Sequence, residues 1–223
     1  MVNEKEYSLR ETKHAKTKLA IMNAFMERLK TDRFENISVM KICEATGVAQ
    51  GTFFNYFPEK IDVLFYYLRI TMAKTLWAAE KSSPSGKFLP KIESLLSQVS
   101  REWENSNLSC QILSILLAQT ERPRWMKISA IEKKMAFPEC SGIEDTPDEP
   151  FDQWLKRNVS AAMKSGEVPA GTNIADILVS LTTIMFGTFM AVKFHGSNRR
   201  EYHYKRQLRI LWESTGVKGL ENG

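Results

Sequence analysis

Cysteine is scarce in this chain, with three among 223 residues: Cys43, Cys110 and Cys140. Their spacing fits neither a disulfide framework nor a paired-cysteine zinc site, so reduced thiols are expected. Histidine is equally sparse. His14, His195 and His203 are scattered and make no HExxH or other metal-ligand spacing. The chain also lacks a GxSxG elbow, a phosphate-cradling GxxxxGK[ST] and a GxGxxG opening a helix. No enzyme activity, metal or cofactor is therefore expected. Long apolar runs are missing too. The most apolar uncharged stretch, 177–192, which no other exceeds in length, includes Ser180, Thr182, Thr183 and Thr188 and falls short of the roughly 20 residues of a membrane span. It reads as a buried helix. The first sixteen residues mix charges and have no apolar centre, so no secretory signal is expected and the protein is read as cytoplasmic.

What is present is ordinary globular material: 43% apolar, 26% charged and a net charge of +5. The charge is unevenly spread. Residues 138–152 hold six acids (Glu139, Glu144, Asp145, Asp148, Glu149, Asp152) and no base, and are expected to form a solvated loop, partly disordered. Bases gather in 5–18 (Lys5, Arg10, Lys13, Lys16, Lys18) and in 193–209 (Lys193, Arg199, Arg200, Lys205, Arg206, Arg209). Such an excess suits an anionic partner, nucleic acid included.

Apolar residues recur at helical period nearly throughout. Ala15, Leu19, Met22, Met26 and Leu29 form one stripe, preceded by a capping box at Ser8–Glu11. Further helices are expected from Ser38 to Ala45, from Ala49 to Phe57, from Glu59 onward, and over 87–104, 108–121, 124–137, 151–165, 173–194 and 199–214. Nine or ten helices and no convincing strand pair make the chain all-α.

One stretch carries more information than the rest. Ser38 is a natural N-cap, Gly47 can take the positive φ of a tight turn, and Pro58 closes the following segment. Two short helices meeting at a glycine turn are a helix-turn-helix. Cys43 is small enough for the second helix to cross closely. Phe53 and Phe57 anchor that helix, leaving Gln50, Phe54 and Asn55 outward and Thr52 and Tyr56 at its flanks. Gln can read a base edge with two hydrogen bonds, and Thr and Tyr hydroxyls suit phosphate. Gly51 is either a tolerated first-turn glycine or a place where bare backbone approaches DNA.

These residues, Ile37-Ser38-Val39 through Gly47-Val48 and Gly51-Thr52-Phe53-Phe54 through Tyr56-Phe57-Pro58 to Lys60, resemble the TetR (tetracycline-repressor) family of bacterial transcriptional regulators. Helix order, chain length and the Gly-Glu-Val-Pro turn at 166–169 resemble it more weakly. The resemblance implies an N-terminal three-helix DNA-binding domain (1–58) and a C-terminal helical domain (59–223) that binds a ligand and dimerises. It implies DNA contacts at Ser38, Gln50, Thr52, Phe54, Asn55, Tyr56 and Lys60, with Lys60 and the helix start near Glu59 clamping phosphate. Phe54 stands where the family commonly has Tyr, and Ala49 replaces a small hydroxyl N-cap. The recognition helix has no cation, so attraction to DNA is expected from the arm Lys5–Lys18.

The helices 173–194 and 199–214 would form a four-helix dimer interface, with Gly187 allowing close approach. Two reading heads would then meet a near-palindromic operator on double-stranded DNA. Phe65, Leu68, Met72, Trp103, Met126, Trp154, Met163 and Phe186 are candidates to line a pocket for an apolar or amphipathic ligand. The implied function is a homodimeric, sequence-specific regulator, a repressor released by its ligand. The alternative is a scaffold of the same fold that binds DNA or protein without an inducer.

Overall fold

The computed structural model describes residues 7–83, 87–102, 106–120, 124, 126–197 and 199–217. Among them are ten α-helices: α1 (Leu9–Leu29), α2 (Val39–Thr46), α3 (Gln50–Tyr56), α4 (Lys60–Lys81), α5 (Phe88–Glu102), α6 (Ser106–Leu117), α7 (Ala130–Ala136), α8 (Phe151–Ser165), α9 (Ile174–His195) and α10 (Arg200–Ser214). No strand occurs among the described residues. Ser8 caps α1 in the expected reciprocal box with Glu11. Gly166 and Gly196 end α8 and α9 in the left-handed region.

The helices fall into two compact units that alternate along the chain. One comprises Met1–Lys74 with Asn107–Asp148, the other Thr75–Ser106 with Glu149–Gly223. In the first, the stripe of α1 meets α2, α3, α4, α6 and α7 around Phe25, Leu29, Ile42, Phe53, Phe57, Leu64 and Tyr66, all essentially without solvent contact. In the second, Phe88, Ile92, Leu155, Val159, Ile177, Phe189, Leu208 and Trp212 form the core. The Phe88 and Trp212 rings meet edge to face at 5.8 Å.

A polar network lies inside the second unit. Glu80 accepts from Lys91 at 2.6 Å and from the Trp154 indole at 2.9 Å, and Arg157 stands 3.5 Å away. Lys91 also donates to Asn158 at 3.1 Å. Burial works against the charge on Glu80, but the hydrogen bonds from Lys91 and Trp154 prevail and hold its carboxyl below the ordinary carboxylate range. The Gly-Glu-Val-Pro turn has a structural task here. Glu167 receives the backbone N–H groups of Phe88 (2.7 Å) and Leu89 (2.8 Å), capping the start of α5 from a distant part of the chain.

Two expectations need correction. Helix α7 begins at Ala130 and not at 124, because Ser129 caps it and accepts from the Glu132 N–H. The acidic stretch is ordered and tethered, not a loose solvated loop. Ile143 and Cys140 are buried, a short 3₁₀ turn spans Ile143–Asp145, and four of the six acids have basic partners. Asp148 pairs with Arg69, Glu139 with Lys74, Glu144 with Lys134, and Glu149 with Arg157. Charges that look unopposed along the sequence find their partners in space.

By length and composition α9 could cross a membrane, with mean hydropathy 1.8. It packs instead along α8 and α10, burying Ile177, Leu181, Met185, Phe189 and Val192 on one side.

Candidate nucleic-acid interface

The helix-turn-helix assembles as its residue types dictate. The Ser38 hydroxyl accepts from the Lys41 N–H at the start of α2. Gly47 ends that helix at φ 65°, ψ 27°, a conformation only glycine adopts without strain. The Val48 N–H then reaches back to the Cys43 carbonyl at 3.0 Å. Cys43 is buried under the crossing of the two helices, and burial pushes its thiol up. Helix α3 starts at Ala49 without a side-chain cap. Its stability therefore comes from packing, since seven residues do not hold a helix alone. Phe53 and Phe57 supply that packing. Both are wholly buried, 6.0 Å apart, and Phe57 meets Tyr66 at 5.5 Å.

The opposite face of α3 is open. Gln50, Gly51, Thr52, Phe54 and Asn55 are exposed, and Tyr56 is half-buried. Phe54 is 46% exposed, too much for a side chain recruited only to the core. A Cβ added at Gly51 would meet nothing within 4 Å, so no internal contact requires glycine there. The expected reading residues therefore lie together on one surface.

The cations around that surface differ from expectation. Lys60, the expected phosphate clamp, is engaged elsewhere. Its ammonium donates to the carbonyls of Phe34 (2.7 Å), Glu35 (3.2 Å) and Ile37 (3.2 Å) and lies over the Phe34 ring. An ammonium has three protons, and three carbonyls take them. Burial draws its pKa down. The Glu59 N–H is likewise taken, by Asp62 at 2.8 Å. Lys60 thus fastens the turn between α1 and α2. Lys18 leaves the basic arm as well: it is buried against Glu132. Arg10, Lys13 and Lys16 remain exposed on α1, whereas Lys5 lies outside the described residues.

Sequence reasoning missed two neighbours of this surface. Met40, 53% exposed, stands on the outer side of α2. His14 of α1 meets the Tyr56 ring at 4.7 Å. Neither has a local signature, because each is defined by a tertiary neighbour or by exposure.

No family model matches the sequence, and no curated protein sequence matches it. Solved structures do. A chain described as a TetR-family transcriptional regulator from Rhodococcus sp. superposes with a TM-score of 0.59 at 13% identity, over 89% of this chain and 98% of that one. Another, described as a tetR-family transcription regulator from Shewanella sp. PV-4, gives 0.55 at 16%, over 89% and 97%. A third, from work on the molecular basis for control of antibiotic production by bacterial hormones, gives 0.51 at 16%, over 90% and 96%.

The fold is that of the TetR-family regulators.

Within the TetR fold the expected pocket residues are divided between the two units. Phe65, Leu68, Met72 and Met126 belong to the first unit, where Phe65 is buried and Leu68 and Met126 pack on its core. Trp154, Met163 and Phe186 belong to the second, where Trp154 is buried and hydrogen-bonded to Glu80. Trp103 lies outside the described residues. A groove of about 540 Å³ runs between α9 and α10, and none of the expected residues lines it. Thr183, Gly187, Ala191 and His195 form its α9 wall, and His203 and Gln207 its α10 wall. Exposed apolar side chains occur on the same two helices: Val179, Met190 and Phe194 on α9, Ile210 on α10.

Proposed function

We propose that the protein is a homodimeric, sequence-specific DNA-binding transcriptional regulator, a repressor released by a small apolar or amphipathic ligand. The outer face of α3 carries the reading. A helix whose one side is sealed by Phe53 and Phe57 offers Gln50, Thr52, Phe54 and Asn55 on the other. Those side chains suit a major groove: an amide for a base edge, a hydroxyl for phosphate, a phenyl for a thymine methyl. The open space around Gly51 supports close approach of backbone to the duplex.

The TetR fold and the exposed apolar side chains of α9 and α10 support a dimer. Val179, Met190, Phe194 and Ile210 would be covered by a second copy, with Gly187 admitting a facing helix. Such a dimer sets two copies of α3 about 34–36 Å apart, one turn of duplex, which calls for a near-palindromic site. Phe194→Glu is expected to convert the dimer to monomer in sedimentation velocity. A ligand is supported by ten methionines and five tryptophans in the chain and by the neighbour studied for control of antibiotic production by bacterial hormones.

Selection of bound duplexes from a random pool tests the central claim. The native protein is expected to enrich one near-palindrome, and Gln50→Ala to relax the preference at a single base pair per half-site. Enrichment of no sequence at low salt would overturn the proposal.

A further inference from the structure

We propose that His14 is a DNA contact: in its protonated form it shares a backbone phosphate with Tyr56, and its titration makes duplex affinity fall as pH rises. This rests on the DNA-reading function proposed above.

The juxtaposition is specific. His14 lies exposed on the second turn of α1, and its ring meets that of Tyr56 edge to face, 4.7 Å between centroids and 64° between planes. Tyr56 is the last residue of α3. Under the proposed function its hydroxyl would donate to a phosphate at that end of the reading surface, and a phosphate held there would lie close to an imidazole whose ring is 4.7 Å from the tyrosine ring. A phosphate so placed has a demand that α3 cannot meet, since that helix has no cation. Of the cations that sequence alone would assign to the task, Lys18 is occupied by Glu132 and Lys60 by three carbonyls, while Arg10, Lys13 and Lys16 stay exposed on α1. His14 stands against the tyrosine itself and can supply the missing charge when protonated.

The groups around His14 decide the sign. On α1, Arg10 and Lys13 are exposed cations, Glu11 is held by Ser8, and Lys18 is neutralised by Glu132. From α3 the residue brought against it is the uncharged Tyr56. The charged side chains of α2 are Lys41 and Glu44, one of each sign, and those of α7 are Glu132, Lys133 and Lys134. The exposed charged neighbours of the ring on α1 are thus the cations Arg10 and Lys13, and a bound phosphate brings the opposite charge to it. Duplex binding is therefore accompanied by proton uptake, and affinity is highest where the imidazole is already charged. As pH rises through the imidazole range, affinity declines until the neutral ring contributes no more than a hydrogen bond.

The experiment uses the full chain and a duplex enriched from the random pool. Dissociation constants are measured near pH 6 and near pH 8 at fixed ionic strength, for the native protein, His14→Gln and His14→Lys. Native binding is expected to weaken roughly three- to tenfold between the two conditions. His14→Gln should bind at both as the native protein does near pH 8, and His14→Lys at both as it does near pH 6. Since His14 is exposed, melting curves of both variants should match the native one. A pH effect that survives in His14→Gln, or the lack of any pH effect in the native protein, overturns the assignment of His14 while leaving DNA reading intact. Failure to bind any duplex at either pH overturns DNA reading itself, and this inference with it.

Discussion

The ammonium of Lys18 and the carboxylate of Glu132 meet at 2.8 Å, with 8% and 2% of their side chains exposed. The same ammonium lies 4.2 Å from the centre of the Tyr66 ring. Burial, with Glu132 nearby, pushes the Tyr66 phenol up. Glu132 is also the capping residue of α7, taking the Ser129 N–H at 2.6 Å. One carboxylate thus joins α7 to the helix that precedes the reader. Glu132→Ala should lower stability by about 3–5 kcal/mol, because it strands a buried cation. Replacing both partners by apolar residues should cost far less. Urea unfolding of the two variants distinguishes these outcomes.

Salt dependence separates the exposed bases of α1 from the buried one. Neutralising Arg10, Lys13 and Lys16 to Gln should flatten the slope of log affinity against log salt by up to about 0.9 for each phosphate that is no longer neutralised. Lys18→Met should leave that slope unchanged while reducing stability. Titrations of one duplex between low and moderate salt check both.

Glu80 gives a pH dependence with a definite sign. Its folded pKa lies below the unfolded value, so its contribution to stability is fully present above the ordinary carboxylate range and is lost as pH falls through the folded value. Glu80→Gln should therefore be less stable than the native protein near neutrality. The gap should close as pH falls through and below the folded value. Denaturant midpoints measured across this acid range give the comparison.

Two glycines of the reader should respond oppositely to alanine. At Gly47 the left-handed backbone makes Gly47→Ala costly by about 1 kcal/mol, with no clash added, since nothing lies within 4 Å. At Gly51 the backbone is helical, and Gly51→Ala should stabilise by up to about 1 kcal/mol. If DNA approaches there, the same change should weaken duplex binding. Unfolding midpoints and binding constants for both variants test the pair.

The sequence made local features legible. Ser8 and Glu11 are three apart, Gly47 ends a short apolar helix, and Phe53 and Phe57 fall on one side of the next. Each is fixed by neighbours within a turn or two, which is why the helices and the open face of α3 follow from the sequence. Lys60 and Lys18 do not follow in this way. Their partners are 23 or more residues away, and a lysine looks the same along a sequence whether it meets phosphate, carbonyls or a buried carboxylate. The acidic stretch hid its order for the same reason. The pocket candidates carry less information than the reader, because methionine and tryptophan at helical spacing mark burial without saying where a cavity lies.

The alternation of the two units along the chain bears on how the protein comes off the ribosome. The first unit is incomplete until Asp148 has been synthesised, and the segment 75–106 waits through that interval without its core. Helix α5 then receives its cap only when Glu167 emerges, 79 residues after Phe88. A nascent chain stalled near residue 106 would display the reading helices without α6 and α7 behind them. Vectorial folding in two independent steps is closed to this topology, and the apolar face of α5 must be shielded during translation.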